Sequence, residues 1–284
     1  MSRIKSLFKT LLPGYQTFHL EYPVDLKPRY GPDQPHTRLN EIIGVHREEY
    51  KRQLEKALTY KDDFLRIPKY RPAGEESFVP YWINGFLPGL DIIMLYSMLA
   101  HGNPETYIEI GSGNSTMVVA RAKEDHKLRT KVISIDPAPR TEIDQLSDLV
   151  IREPFEKTNL SIFSSLKRGD IIFVDNSHRV LPNSDAMAFF MDVLPYLPNG
   201  VIVHVHDVYL PYDYPQNMCD RYYSEQYMLA AFILSNPRKY QTIMPNFYVS
   251  EDAELNQILQ PVWDEPIMAN VEQHGGSYWL QIGE

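Results

Sequence analysis

The chain has 284 residues, of which 43% are hydrophobic and 23% are charged, and this composition is ordinary for a globular protein. Its net charge of −9 does not suit a broad basic face, so we expect no nucleic-acid partner. The single cysteine, Cys219, argues against an internal disulfide and a cysteine-based metal site. Because no apolar run is long enough to cross a bilayer and no signal peptide is visible, the sequence predicts a cytoplasmic protein.

The first dozen residues combine an apolar helical face with three positive charges, and a Pro-Gly pair follows them. This pattern predicts a short basic amphipathic helix over residues 1–12. Since the segment is short, docking on the protein's own core or on a second subunit of a homo-oligomer is favoured over contact with a membrane surface. The apolar residues of this face are Ile4, Leu7, Phe8, Leu11 and Leu12.

The next part of the chain changes character at Thr37. Residues 15–37 are rich in proline, tyrosine and charge, which indicates an extended connector. From Thr37 to about Tyr60 the apolar residues recur at helical spacing, which predicts one or two helices, and an irregular stretch follows. We therefore expect an N-terminal helical cap and connector over residues 1–80 and a larger domain over residues 81–284.

A glycine turn stands near the start of the larger domain. A predicted apolar helix over Asp91–Ala100 precedes a short strand from Thr106, and the sequence Glu-Ile-Gly-Ser-Gly-Asn-Ser over residues 109–115 then leads into another predicted helix. A strand that ends in Gly-x-Gly and turns into a helix lets backbone N–H groups approach a ligand closely, because glycine has no Cβ. The turn therefore predicts a nucleotide-like cofactor.

An acid at the end of the next predicted strand strengthens this interpretation. The strand Lys131–Ile135 ends at Asp136, about twenty residues past Gly113, where a carboxylate can accept hydrogen bonds from ribose hydroxyls. The alternative is a tight turn with a solvated Asp136, which the order of strand, turn, helix, strand and acid disfavours. Thr116 replaces the third glycine of the dinucleotide fingerprint, and this argues against a nicotinamide or flavin cofactor.

Glu-x-Gly-x-Gly-x-Ser followed by an acid-tipped second strand resembles the class I S-adenosylmethionine-dependent methyltransferases. The resemblance implies that the glycine turn packs against the methionine part of the cofactor, that Glu109 acts nearby through polar contacts, and that Asp136 binds the ribose. It also implies that residues before the Asp91 helix line the cleft, with simple packing as the alternative. The turn residues are Gly111, Ser112, Gly113, Asn114 and Ser115, and the cleft candidates are Trp82, Asn84 and Phe86.

Downstream, apolar runs alternate with helical segments, as a doubly wound fold requires. The sequence predicts an α/β protein with a Rossmann-like, doubly wound, seven-stranded, mostly parallel sheet and an N-terminal helical cap. The predicted strands after Asp136 are 148–151, 170–174, 200–206, 239–244 and 277–282, and the predicted helices are 160–166, 186–194 and 222–234.

The ends of the predicted strands carry a second group of polar residues. Ligands of open α/β sheets bind outside the carboxyl ends of the strands, so Asp175 and the pair His206-Asp207 should meet Glu109 and Asp136 in one cleft. His178 follows Asp175, and histidine is the usual general base near neutral pH. We predict His178 and Asp175 as catalytic residues, with Asp175 also near the cofactor. A loop histidine that caps a helix is the alternative for His178.

A divalent cation is a further expectation at the same strand ends. It would bind the acceptor oxygen and lower its pKa, and Asp175, His206 and Asp207 are the candidate ligands. The Asp-x-Ser-His segment, a helix and a strand with an acidic end resemble the metal-dependent sugar O-methyltransferases that act on macrolide antibiotics, and related bacterial enzymes of glycan and natural-product modification. Those relatives carry Glu-Asp in place of His206-Asp207, and histidine favours transition metals over magnesium. Magnesium, a transition metal and no metal therefore stay open, and Asp207 could instead bond to a nearby loop.

Two further assignments concern the region around the fifth strand. His204 lies inside the strand, so we expect a hydrogen-bonded core histidine rather than a ligand. A long aromatic loop follows the strand, and its residues Arg221, Tyr222 and Glu225 are candidates for contact with a polar acceptor. An ordinary surface loop is the alternative.

The expected function is S-adenosylmethionine-dependent O-methylation of a sugar, a glycan or another small polar hydroxyl acceptor. One alternative is a cofactor-binding scaffold without catalysis, which the intact set of strand-end acids disfavours. Another is a nicotinamide-dependent oxidoreductase, for which a Tyr-x-x-x-Lys pair or comparable hydride-site machinery is missing. No motif in the sequence identifies the acceptor.

Overall fold

A mixed seven-stranded sheet lies at the centre of the described part of the chain. The computed structural model describes Leu12, Thr17 and residues 20–72, 78–139 and 143–284. The order of the strands in the sheet is β3-β2-β1-β4-β5-β7-β6. The strands are β1 (Thr106–Ile110), β2 (Lys131–Ile135), β3 (Leu149–Ile151), β4 (Ile171–Val174), β5 (Ile202–Val205), β6 (Tyr240–Pro245) and β7 (Tyr278–Ile282).

The direction of the strands places the candidate site. Strands β1 to β5 run parallel, and β7 pairs antiparallel with both β5 and β6. All residues of β4 are buried, because both faces of this central strand are covered. The chain leaves β1 toward β2 on one side and reaches β4 on the other, which is the switch point where open α/β sheets bind ligands. The predicted α/β fold with a mostly parallel, seven-stranded sheet is confirmed.

Helices flank the sheet, and α4 packs against α5. The described α-helices are α1 (Thr37–Gly44), α2 (Arg47–Leu58), α3 (Lys61–Phe64), α4 (Gly89–Gly102), α5 (Asn114–His126), α6 (Asp185–Ala188), α7 (Gln216–Cys219), α8 (Glu225–Ser235), α9 (Asn246–Glu251), α10 (Ala253–Gln257) and α11 (Gln260–Trp263). Short 3₁₀ turns lie at Asp144–Leu146, Phe155–Lys157, Leu160–Ser165, Leu194–Tyr196 and Pro266–Met268. A π-helical turn spans Phe189–Val193.

Two predicted helices differ from the structure. The segment predicted as a helix at 160–166 forms only the 3₁₀ turn Leu160–Ser165. The helix predicted at 186–194 begins as α6, continues through the π-helical turn and ends at a 3₁₀ turn that contains Pro195. Proline lacks the N–H that a continuing helix needs, so the helix stops there. The short helices between 246 and 263 were not predicted, because segments of six residues or fewer are too short to display a helical period.

Helices α1 and α2 share the hydrophobic core of the sheet domain, and α2 contacts α4 and β6. The buried Tyr50 hydroxyl donates to the carbonyl oxygen of Ile43 at 2.8 Å. The Arg47 guanidinium makes a two-point contact with the Asp252 carboxylate, at 2.8 and 2.9 Å. The predicted boundary between the cap and the larger domain at residue 80 stays a prediction.

The segment before α1 contacts the loop after β5. Residues 20–30 form neither helix nor strand, which agrees with the predicted extended connector. The Tyr30 N–H donates to the Asp213 carboxylate at 3.0 Å. The predicted amphipathic helix over residues 1–12 lies outside the described residues, apart from Leu12. Within the described ranges, no helix is both long and apolar enough to span a membrane.

His204 is a core residue, as predicted, but the expected hydrogen bond is wrong. The side chain is fully buried, and neither ring nitrogen has a hydrogen-bond partner among the described residues. The ring lacks hydrogen bonds because aromatic side chains from the neighbouring strands flank it. The imidazole stacks on Trp279 of β7, with 3.9 Å between ring centroids, and meets the Phe173 ring of β4 edge-on, with 4.6 Å between centroids. Burial therefore lowers the pKa of His204 to about 3, and the ring is neutral.

We expect His204→Phe to remove part of the protein's sensitivity to acid. Folded His204 stays neutral down to a pKa of about 3, whereas the unfolded residue takes up a proton near 6.5, so the unfolded state binds more protons between these values. Stability is therefore lost as the pH falls below 6.5, by about 1.4 kcal/mol per pH unit.

Urea unfolding of both proteins over this pH range measures the effect. The phenylalanine ring can keep the stack on Trp279, so the comparison rests on the pH slope and not on the absolute stability. Equal slopes for the two proteins would contradict the buried, neutral state of His204.

Candidate functional site

The turn after β1 is pressed against the end of β4. Gly111 has a φ of +84°, which favours glycine, and a Cβ at this position would lie 2.2 Å from the backbone oxygen of Asp175. The N–H of Asp175 donates to the carbonyl oxygen of Ile110 at 2.9 Å. Both the conformation and the lack of space therefore require glycine at position 111.

Gly113 differs from Gly111, because neither its conformation nor its surroundings require glycine. Its φ of 175° is extended backbone that any residue adopts, and no heavy atom lies within 4 Å of the place where its Cβ would be. The residue borders a cleft, so a side chain here would extend into open space. The cleft is lined by Phe86, Leu87, Ser112, Gly113, Asn114, Ser115, Phe173 and Asp175.

Glu109 stabilises the turn through buried hydrogen bonds. Its fully buried carboxylate accepts hydrogen bonds from the hydroxyls of Ser134 at 2.6 Å, Thr116 at 2.5 Å and Ser115 at 3.2 Å. Burial raises the pKa of Glu109 to about 7, although the hydroxyl donors oppose this shift. Glu109 thus joins the ends of β1 and β2 to the first turn of α5.

Asp136 holds the turn from the side of β2. Its carboxylate accepts hydrogen bonds from the N–H of Ser112 at 2.9 Å and the N–H of Ala138 at 2.8 Å. The Ser112 hydroxyl lies 3.3 Å from the same carboxylate. The half-buried Asp136 is therefore fixed beside the cleft residues of the glycine turn, as the βαβ pattern predicted.

The three aromatic and amide candidates before α4 take different places. Phe86 lines the cleft and is 51% exposed. Trp82 is buried in the core, which is the packing alternative. Asn84 shapes the local turn, because its side-chain oxygen accepts from the N–H groups of Phe86 and Leu87 at 2.8 and 2.7 Å.

The ends of β4 and β5 bring His178 between two carboxylates. Its Nε2 atom lies 3.4 Å from Asp175 and 3.4 Å from Asp207. His178 and Asp207 both adopt left-handed backbone conformations, with φ of 60° and 54°. Such conformations cost on the order of 1 kcal/mol or more for residues other than glycine and are concentrated at functional sites.

Glu225 orients the His178 ring, and the sequence indicated it only as a contact of the acceptor. The carboxylate at the start of α8 shares a short hydrogen bond with Nδ1 of His178, and the side chain is fully buried. Burial alone would lower the pKa of His178, but Glu225, Asp175 and Asp207 together raise it above its ordinary value. With Nδ1 engaged, Nε2 is the nitrogen that faces the two strand ends.

His206 pairs with Asp91, a residue that sequence reasoning placed only at a helix start. The Nε2 atom of His206 lies 3.5 Å from the fully buried Asp91, and Nδ1 lies 3.6 Å from Asp175 and 3.7 Å from Asp207. These are ion-pair distances rather than hydrogen bonds. Asp91 also accepts from the Asn246 amide at 2.7 Å. The missed signal is that Asp91 begins an otherwise apolar buried helix, where an acid needs a partner.

The candidate metal ligands Asp175, His206 and Asp207 thus lie together. The two aspartates face His178 and His206, and His206 also faces Asp91. In the part of the chain that the structure describes, no three His, Cys, Asp or Glu side chains are arranged to hold a metal ion. The metal set stays a prediction.

The fold and the glycine turn define the structural class of the protein: a Rossmann-like α/β domain. Residues 108–208 match the family model described as a methyltransferase domain, and this stretch runs from β1 to the end of β5. The resemblance predicted from the sequence is confirmed over this stretch of the chain. An uncharacterized protein of Archaeoglobus fulgidus is 25% identical over 142 residues, or 46% of this chain, and the chain spans 62% of the length of that relative.

Several solved structures resemble the chain in fold. An SAH-bound methyltransferase of Podospora anserina has a TM-score of 0.43 and 13% identity, with 68% of this chain and 78% of that chain covered. An O-methyltransferase from Bacillus cereus in complex with SAH has a TM-score of 0.38 and 15% identity, with 82% and 90% covered. At these scores the likeness does not bear on what this chain does.

The two glycines of the turn predict opposite results for the same substitution. We expect Gly111→Ala to destabilise the protein by about 1–3 kcal/mol or more, because it combines a left-handed φ with a clash against the Asp175 backbone. Gly113→Ala should change stability by less than about 0.5 kcal/mol, because its Cβ direction is open. Thermal unfolding of both variants tests this contrast. An equal loss in both would contradict the geometry of the turn.

We further expect the stability difference between Glu109→Gln and the parent protein to depend on pH. The folded pKa of about 7 exceeds the ordinary value of 4.5, so between these values the folded state holds a proton that the unfolded state loses. Stability of the parent protein therefore falls as the pH rises through this window, by about 3 kcal/mol in total. Denaturant unfolding should show that the stability of Glu109→Gln rises relative to that of the parent protein as the pH increases through this range. A constant difference would show that Glu109 is ionised in the folded state.

Proposed function

We propose that the protein transfers a methyl group from S-adenosylmethionine to a hydroxyl of a sugar or another small polar acceptor. The observation that carries this proposal is the double position of Asp175. This residue borders the cleft beside the glycine turn, and its carboxylate lies 3.4 Å from Nε2 of His178. A cofactor cleft and a candidate proton acceptor are therefore adjacent at the ends of β1 and β4.

The residues around the cleft fit the proposed cofactor. The open space next to Gly113 accommodates a ligand against the backbone, and the Asp136 carboxylate beside Ser112 suits a ribose diol. Ser112, Asn114 and Ser115 complete this wall of the cleft. The chemistry that S-adenosylmethionine supplies when bound is an electrophilic methyl group on a sulfonium centre.

The chain's own contribution is to take the proton of the acceptor. Glu225 occupies Nδ1 of His178, so Nε2 is free to accept a proton from a hydroxyl placed next to it. The carboxylates of Asp175 and Asp207 stabilise the charge that the ring then carries. The arrangement of a buried acid, a histidine and a reacting group is that of a catalytic dyad.

The rival functions and the cation receive less support. In the arrangement described, Asp175 and Asp207 face the two histidines, and no step of the proposed reaction is assigned to a cation. The strained backbone at His178 and Asp207 favours catalysis over an inactive scaffold, because strain without function tends to be lost. A cytoplasmic location and a homo-oligomer stay predictions.

Calorimetric titration of S-adenosylmethionine, with and without added magnesium or manganese, tests the cofactor. We expect binding without a cation, and we expect Asp136→Ala to weaken it about tenfold to a hundredfold, since hydrogen bonds to a charged group contribute about 1.5–3 kcal/mol. Asp264→Ala, which also removes one negative charge but lies on the exposed end of α11, is the matched control.

The outcomes separate the proposal from its rivals. No binding under any condition overturns the proposed function. Binding only with a cation would show that the carboxylates release their histidines to hold a metal. Binding without transfer to any of a broad panel of hydroxyl acceptors favours the scaffold.

A further inference from the structure

Two arginines share one aromatic ring beside His178. The Tyr223 ring stacks on the His178 imidazole, with 4.5 Å between ring centroids and 25° between planes. The guanidinium carbon of Arg221 lies 4.4 Å from the same Tyr223 centroid, and that of Arg179 lies 5.5 Å from it. Both distances are typical of a cation–π contact.

The two arginine-bearing segments are tied to each other. Nε of Arg179 donates to the carbonyl oxygen of Arg221 at 2.8 Å, and one of its terminal nitrogens lies 3.4 Å from the carbonyl oxygen of Ser177. These contacts join the segment after β4 to the segment before α8. Arg179 is therefore held in place before any ligand arrives, which reduces the entropy lost on binding.

Among the described residues, neither guanidinium has a carboxylate partner. No Asp or Glu oxygen of the described residues lies within 4 Å of a nitrogen of Arg179 or Arg221, although six other arginines have such partners. Two neighbouring positive charges repel each other, and the nearby Tyr223 ring only partly compensates them. A bound anion would compensate both charges. The six paired arginines are Arg38, Arg47, Arg52, Arg66, Arg121 and Arg152.

We propose that Arg179 and Arg221 bind a negatively charged group of the methyl acceptor. The acceptor is then an anionic small molecule, with a carboxylate or a phosphate, and not a neutral sugar. This inference rests on the proposed function. Guanidinium groups bind carboxylates and phosphates through paired hydrogen bonds, which also orient the ligand. Because Tyr223 separates the arginines from His178 by one ring, an anion bound here keeps the rest of the molecule next to the candidate base.

The side-chain Nε–H signals of the arginines, followed by NMR, report binding directly. The full-length protein is titrated with glucuronate, glucose 6-phosphate and neutral glucose as probes. We expect the two anionic probes to shift the Arg179 and Arg221 signals in a saturable manner and glucose to leave them unchanged. The stronger of the two anionic probes identifies carboxylate or phosphate as the preferred group.

Substitutions test whether the two arginines cause this binding. We expect Arg221→Ala and Arg179→Ala each to weaken the binding of the anionic probe about tenfold or more, since each removes charge-assisted hydrogen bonds to the anion. Arg52→Ala removes the same charge on α2 and should leave the affinity unchanged. Arg221 is exposed, so its substitution should not prevent folding.

The inference is wrong if neither anion shifts the arginine signals, if glucose binds as well as its anionic counterparts, or if the Arg221 and Arg179 variants bind like the control. This outcome is distinguishable from failure of the proposed function. Calorimetric binding of S-adenosylmethionine without an anion site overturns the inference alone. If anions bind at Arg179 and Arg221 but S-adenosylmethionine does not bind, the proposed function is overturned, and only the anion-binding site remains supported.

Discussion

The contact between the Gly111 backbone and the Asp175 carbonyl sets the geometry of the whole site. The turn after β1 cannot move away from the end of β4, because Asp175 also donates its N–H to Ile110. Asp175 then borders the cleft and also lies within 3.4–3.6 Å of the two histidines. The position of the candidate base relative to the cleft therefore follows from a backbone contact between neighbouring parallel strands, and not from the flexible loops around it.

The second constraint is electrostatic. Asp91 and Glu225 are fully buried acids, and each faces one histidine of the cluster, His206 and His178 respectively. Burying an ion pair costs desolvation that the attraction only partly repays, whereas removing one partner costs about 3–5 kcal/mol because it leaves a lone buried charge. Apolar residues could fill the same space at no such cost. The presence of two buried pairs at the strand ends is thus better explained by chemistry than by stability.

The sequence was informative where chemistry and periodicity coincide. Continuous apolar runs predicted the parallel strands, and the order of the strands predicted that Asp136, Asp175 and Asp207 share one edge of the sheet. Asp91 and Glu225 could not be assigned in this way, because each acts across a long sequence separation on a residue of another element. The lack of a hydrogen bond at His204 was equally hidden, since it depends on which side chains from β4 and β7 flank the ring.

The same cluster relates the base to the cation expected from the sequence. A hydroxyl acceptor must lose its proton, and either an imidazole or a metal ion can assist. At these strand ends both would use the same carboxylate oxygens, because His178 and His206 already lie 3.4–3.7 Å from Asp175 and Asp207. A cation could enter only as the histidines lose their protons or turn away, since metal ligands must be unprotonated. Proton uptake and metal binding are therefore competing states of one group of side chains.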